Sequence, residues 1–225
     1  MPHFKKILLI AALAASPALC SEKTVVVKDD HDVGVKSEVF LKKNEKEAPQ
    51  GPTDDNGQLT LVAGCSQGEV IRAKPESELF YEGKRYCDPQ QEVIEVLVTS
   101  IGFYENLRSN GEQLETNEEW SKAALVYNEM SVRARAWDRE EAESWRQKAY
   151  ELFAKHIELP SDVEIVVPYK GRKVVSPGYQ DAIRRYQAQE GIPETGRIDY
   201  GTLASAAGQD VGVYLFHRQE KFQGP

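Results

Sequence analysis

The spacing of apolar residues changes character twice along the chain. From residue 24 to 98 it is short and alternating: TVVVKD, SEVFLKK, QLTLVAG, EVIRAK, ELFYEGKRY and EVIEVLVTS each read as a strand. Turn chemistry separates them, notably Asp54-Asp55-Asn56-Gly57 and Glu82-Gly83. Short strands at this spacing predict a small antiparallel β-sandwich over residues 24–99. The stretch 42–52, rich in Lys, Glu and Pro, reads as an exposed loop.

From residue 101 the period becomes helical. Trp120, Ala123, Ala124, Tyr127, Met130 and Ala134 fall on one face, and Thr116-x-x-Glu119 has the form of a capping box ahead of them. Asp138-x-x-Glu141 opens a second stripe through Ala142, Trp145, Ala149, Leu152, Phe153 and His156. The pattern predicts a helical hairpin spacer over 101–158, with a shorter helix at 103–107 before it. His156 falls at a helix carboxyl end, where the dipole favours its protonated form, in a structural role.

Beyond Pro160 the alternation returns. DVEIVVPYKGRKVVSP predicts two strands around Tyr169-Lys170-Gly171, and VGVYLFH a further strand after Asp210. Between them Tyr179, Ala182, Ile183 and Tyr186 line a helix face, with Arg184 and Arg185 turned outward. Gly191 suits the left-handed residue that ends a helix, and Pro193 forbids continuation. Gly196 marks a second bend. Asp199 is placed to cap a short helix through the Thr202 N–H, burying Leu203 and Ala206. The β elements are expected to pack against this unit. The fold class is therefore α+β and multi-domain, ending in a small α+β module over 161–218 and a tail over 219–225.

These C-terminal residues resemble the peptidoglycan-binding-like domain of bacterial wall hydrolases and wall-associated proteins. Tyr186-Gln187, Gly191-Ile192, Gly196 and Thr202-Leu203 stand at that family's spacing. The match covers residues 179–206, the second half of the usual domain. It implies two short helices linked by a glycine-punctuated turn, and peptidoglycan or its fragments as partner. The segment from Thr53 to Leu61 is similar, more weakly, to the turn and strand of carboxypeptidase-regulatory or transthyretin-like β-sandwiches, which are mostly non-catalytic.

Residues 1–20 carry Lys5-Lys6, an apolar ILLIAALAA run and a small-residue stretch ending at Cys20. That is the layout of a secretory signal peptide, which implies a periplasmic or secreted protein with no transmembrane segment. Leu19, where a small residue would precede a lipidated cysteine, argues against lipid anchoring at Cys20. With Cys20 removed, Cys65 and Cys87 remain, and a pair in an oxidising compartment is most simply a disulfide.

Charge and motif content argue against several activities. The 225-residue chain has a formal net charge of −8; removing residues 1–20 takes away two lysines and no acid, leaving 26 basic against 36 acidic residues. That balance disfavours nucleic acid as a partner. No HExxH, GxSxG or glycine-rich phosphate loop occurs, so no catalytic residue, metal or cofactor is expected. Binding groups for carboxylates, amides and sugar faces are supplied near the signature by Arg184, Arg185, Gln187, Arg197, Tyr200 and Thr202, with Gly191, Gly196 and Asp199 as turn and cap. The expected function is a non-catalytic envelope protein that binds peptidoglycan. The alternatives are a scaffold for another envelope protein or a regulatory subunit of a wall hydrolase.

Overall fold

Residues 22–208 are described by the computed structural model. The predicted signal peptide, the VGVYLFH strand and the tail lie outside them. The chain is mixed α+β, with five helices and several small sheets among the described residues.

Strand β1 (Lys23–Lys28) alternates buried and half-buried residues, so Val25 and Val27 share an inward face. It lies between β4 (Gln58–Leu61) and β8 (Val93–Leu97) in a three-stranded sheet. A second sheet has the order β3 (Lys46–Pro52), β2 (Ser37–Lys43), β5 (Val70–Pro75), β7 (Gly83–Tyr86). Val25, Val27, Ile94 and Val96 from the first sheet and Val39, Ile71 and Ala73 from the second meet in one core. Cys65 and Cys87 are joined in a disulfide at the edge of that core, their Cα atoms 6.1 Å apart.

Two expectations for this region are corrected. The sheets are not wholly antiparallel, because β1 pairs with β8 in parallel register, Val25 opposite Ile94. And residues 42–52 are no loop. Asn44 and Glu45, at φ 46° and 66°, make a tight two-residue turn, and β3 folds back along β2. Pro49 and Pro52 are tolerated because β3 is an edge strand, where no outer neighbour needs their missing N–H.

The short pair β6 (Phe80–Tyr81) and β9 (Thr99–Ser100) leads into the helices. Helix α1 spans Ile101–Thr116, started by Ser100 Oγ accepting the Phe103 N–H at 3.1 Å. It replaces the short helix expected at 103–107, so the helical hairpin is a three-helix unit with α2 (Trp120–Ala134) and α3 (Arg139–His156). Gly111 of α1 lets the helices close: a Cβ there would stand 2.9 Å from the Tyr127 ring of α2. The expected capping box is also corrected. Thr116 ends α1, its hydroxyl donating to the Glu112 carbonyl at 2.8 Å, and α2 begins at Glu119 with no side-chain cap. Asp138 does cap α3, accepting from the Glu140 and Glu141 N–H groups.

Hairpin strands β10 (Val166–Tyr169) and β11 (Arg172–Val175) precede α4 (Pro177–Gln189) and α5 (Tyr200–Ala207). Contrary to the expectation from sequence, the apolar faces of α4 and α5 do not pack on this hairpin. Tyr179, Ile183 and Leu203 join Tyr104, Tyr127, Met130 and Phe153 in a second core built on α1–α3. The hairpin touches that core only around its base, through Val163, Ile165 and Val175. The stretch read as a spacer thus supplies the floor of the C-terminal unit.

A buried polar cluster links the two cores. Arg133 of α2 donates through Nε to Glu129 at 2.7 Å, and through Nη1 to Asp30 and to Thr99 Oγ1. Asp30 also accepts the Ser100 N–H at 3.0 Å. The Phe103 ring lies 4.6 Å from the guanidinium.

Candidate functional site

The candidate site is the turn from α4 to α5. Helix α4 starts at Ser176, whose Oγ accepts the Tyr179 N–H at 3.0 Å and donates to the Glu164 carbonyl, with Pro177 in the first turn. Tyr179 is fully buried and donates its hydroxyl to the Tyr150 carbonyl of α3 at 2.7 Å; desolvation drives its pKa far above the usual phenol range. Tyr186 meets Phe153 edge-on, with ring centroids 5.4 Å apart, and His156 at 5.8 Å. These contacts fix which side of α4 faces outward.

Gln187 organises the turn. Its amide nitrogen lies 2.7 Å from Thr202 Oγ1, 2.9 Å from Thr195 Oγ1 and 3.1 Å from the Arg197 carbonyl, three acceptors for two N–H bonds. Its amide oxygen accepts the Gly196 N–H at 2.8 Å, and its backbone carbonyl accepts that of Ile192 at 3.0 Å. Gly191 and Gly196 have φ of 68° and 65°, left-handed values that a side chain would strain. Gly196 is also crossed by the Arg184 guanidinium.

Asp199 closes the far side. One carboxylate oxygen accepts from the Thr202 N–H at 2.9 Å and the Thr202 hydroxyl at 2.8 Å; the other accepts from Thr195 Oγ1 at 2.9 Å. Sequence reasoning missed Thr195. The available signal was a threonine two residues before Arg197, whose N–H its hydroxyl accepts at 3.2 Å.

The six candidate ligand residues therefore separate. Gln187 and Thr202 are fully buried and committed inside the turn, which withdraws them from any ligand. Tyr200 is half-buried and faces α2, its pKa raised by desolvation and then by the Glu129 carboxylate. Arg184 is half-buried and paired with Asp181 at 2.6 Å. Arg185 and Arg197 are exposed, and their side chains have no ion-pair partner among the described residues. The exposed guanidinium groups are thus Arg185 on α4 and Arg197 in the turn, with Arg184 beside the Gly196 bend.

His156 departs from its expected electrostatics. It packs between Phe153 and Tyr186, and desolvation lowers its pKa against the opposing pull of Glu190. Burial outweighs the helix terminus here. A cleft of about 430 Å³ opens between the end of α3 and residues 158–165, floored by Ala154, Leu159, Val163 and Ile165, and none of the candidate residues lines it.

Among the described residues, no group of three His, Cys, Asp or Glu is arranged to hold a metal ion, and no helix is long and apolar enough to cross a membrane. The Cys65–Cys87 bond is compatible with a periplasmic or secreted setting. No protein-family model matches the chain. Nor does any curated protein.

Proposed function

We propose that the chain is an exported, non-catalytic cell-envelope protein that docks on peptidoglycan through the α4–α5 turn. The β region would be a sandwich-type module in front of a helical platform that carries the docking unit. One observation carries the reading. Gln187, Gly191, Gly196 and Thr202, the positions that resemble the wall-binding signature, all serve to close one turn, which leaves Arg197 exposed, while the packing of α4 leaves Arg185 exposed just before it. Guanidinium groups suit the carboxylates of wall peptides, since each can make two parallel charge-assisted hydrogen bonds.

The test is co-sedimentation of the purified mature chain with insoluble peptidoglycan. Binding is expected, and Arg185→Ser and Arg197→Ser should each weaken it about tenfold, the scale of a charge-assisted hydrogen bond. Wild-type protein that stays in solution would sink the reading. Turnover of wall fragments by the chain alone would remove the non-catalytic part of it.

A second reading, a scaffold for another envelope protein, is favoured by the burial of Gln187 and Thr202 and by Tyr200 facing α2. Half of the candidate binding groups are spent on the fold, which suits a unit kept for its shape. This reading gains if peptidoglycan fails to retain the chain while an envelope protein co-purifies with it.

A further inference from the structure

The β10–β11 hairpin is two-sided, and its sides differ. Directly paired residues of an antiparallel ladder share a face, and successive pairs alternate. Pro168 pairs with Lys173 and Val166 with Val175. Val175 packs on the helical core, and Lys173 reaches Gln147 of α3 at 3.4 Å, so this face looks toward α3. The opposite face carries Val167 paired with Val174 and Tyr169 paired with Arg172. It looks away from the protein: Tyr169 is 57% and Val174 38% exposed. Every residue from 168 to 174 is exposed.

Its charge runs against the rest of the chain. Residues 166–175 hold Lys170, Arg172 and Lys173 and no acid, in a chain of net charge −8. None of the three has an ion-pair partner among the described residues; Lys170 rests 5.2 Å from the Tyr169 ring centroid.

We infer that the outer face of this hairpin is a contact site for an anionic phospholipid surface. Tyrosine is amphipathic and settles at headgroup level, two valines beside it can enter the acyl boundary, and Lys170 at the tip and Arg172 on the same face as Tyr169 meet the lipid phosphates. The acidic remainder of the chain is repelled by the same surface, which orients the protein with the hairpin toward the lipid. The site is separate from the α4–α5 turn and does not depend on the wall reading.

The test is flotation of the full mature chain with vesicles of phosphatidylcholine alone or mixed with phosphatidylglycerol. Binding is expected only to the mixed vesicles and should weaken with added salt. The variant K170S/R172S should lower partitioning about thirtyfold. Tyr169→Ser with Val174→Thr should lower it while leaving the charges in place. Circular dichroism matching the wild type would exclude misfolding, as expected for exposed positions. Equal binding to both vesicle types would overturn the inference. So would full binding by the K170S/R172S variant. Loss of peptidoglycan retention by K170S/R172S, without a change on vesicles, would assign the hairpin to the wall instead.

Discussion

Arg133 and Asp30 form an ion pair from which water is excluded, the two side chains being 4% and 0% exposed. The pair joins α2 to the segment after β1 across 103 residues of sequence. Removing one partner leaves the other charge in a low-dielectric site. Asp30→Ala should therefore cost roughly 3–5 kcal/mol, measured by denaturant unfolding. A loss below about 1 kcal/mol, the range of surface pairs, would show that Glu129 alone satisfies Arg133.

The two turn glycines should differ in cost. At Gly191 an added Cβ meets nothing within 4 Å, so Gly191→Ala pays only for the left-handed backbone, about 1–2 kcal/mol. At Gly196 the same strain is joined by a contact of 2.9 Å with Arg184 Nε. The Arg184 guanidinium is the far end of a flexible, half-exposed side chain that can swing aside. Gly196→Ala should therefore be the more destabilising by less than about 1 kcal/mol, the scale of the exposed Asp181 pair it would disturb. Removing the Arg184 side chain should recover that difference. Gln187→Ala, which leaves the buried Gly196 N–H without its acceptor, should cost about 1–3 kcal/mol. Thermal melts of the four variants decide the order.

His156 should make stability depend on pH. A base whose folded-state pKa lies below its unfolded value of 6.5 binds fewer protons when folded. Stability then rises with pH, is complete above 6.5 and is lost as pH falls from there toward the folded-state pKa. Glu190 opposes the shift and softens the loss. Melting temperatures taken from about pH 7 down to about pH 5 should fall more steeply for wild type than for His156→Gln. Parallel curves would place the titrating group elsewhere.

Reduction should loosen the β region. The Cys65–Cys87 bond closes a loop with a sequence separation of 22, worth about 3 kcal/mol of unfolded-state entropy. Cys65→Ser with Cys87→Ser should lose about that much, and reductant should then have no further effect on unfolding.

Local signals were readable from sequence; distant pairings were not. Strand β2 was read at its observed bounds because its alternation is self-contained, and the Asp138 and Asp199 caps because they act within three residues. The capping motif at Thr116 misled because its spacing also suits a hydroxyl bonded back to Glu112. Most of helix α1 is silent in the sequence because it buries only Tyr104, Leu107 and Gly111, too sparse a stripe for a periodicity argument. Strand β3 was hidden by its exposed, proline-bearing edge. For the candidate site, residue types and spacing located the turn and its cap. Which groups face out depends on α2 and α3, and Tyr200 and Glu129 stand 71 residues apart in the chain, a separation that no local pattern encodes.

Helices α4 and α5 rest Tyr179, Ile183 and Leu203 on rings and aliphatics contributed by α1–α3. Excised and grafted onto another carrier, residues 163–208 would arrive with that greasy underside bare and would aggregate or melt. The signature turn is thus no transferable cassette in this chain. Its shape is on loan from the helices beneath it, and a lesion in α2 or α3 should be felt at Arg185 and Arg197 as surely as one in the turn itself.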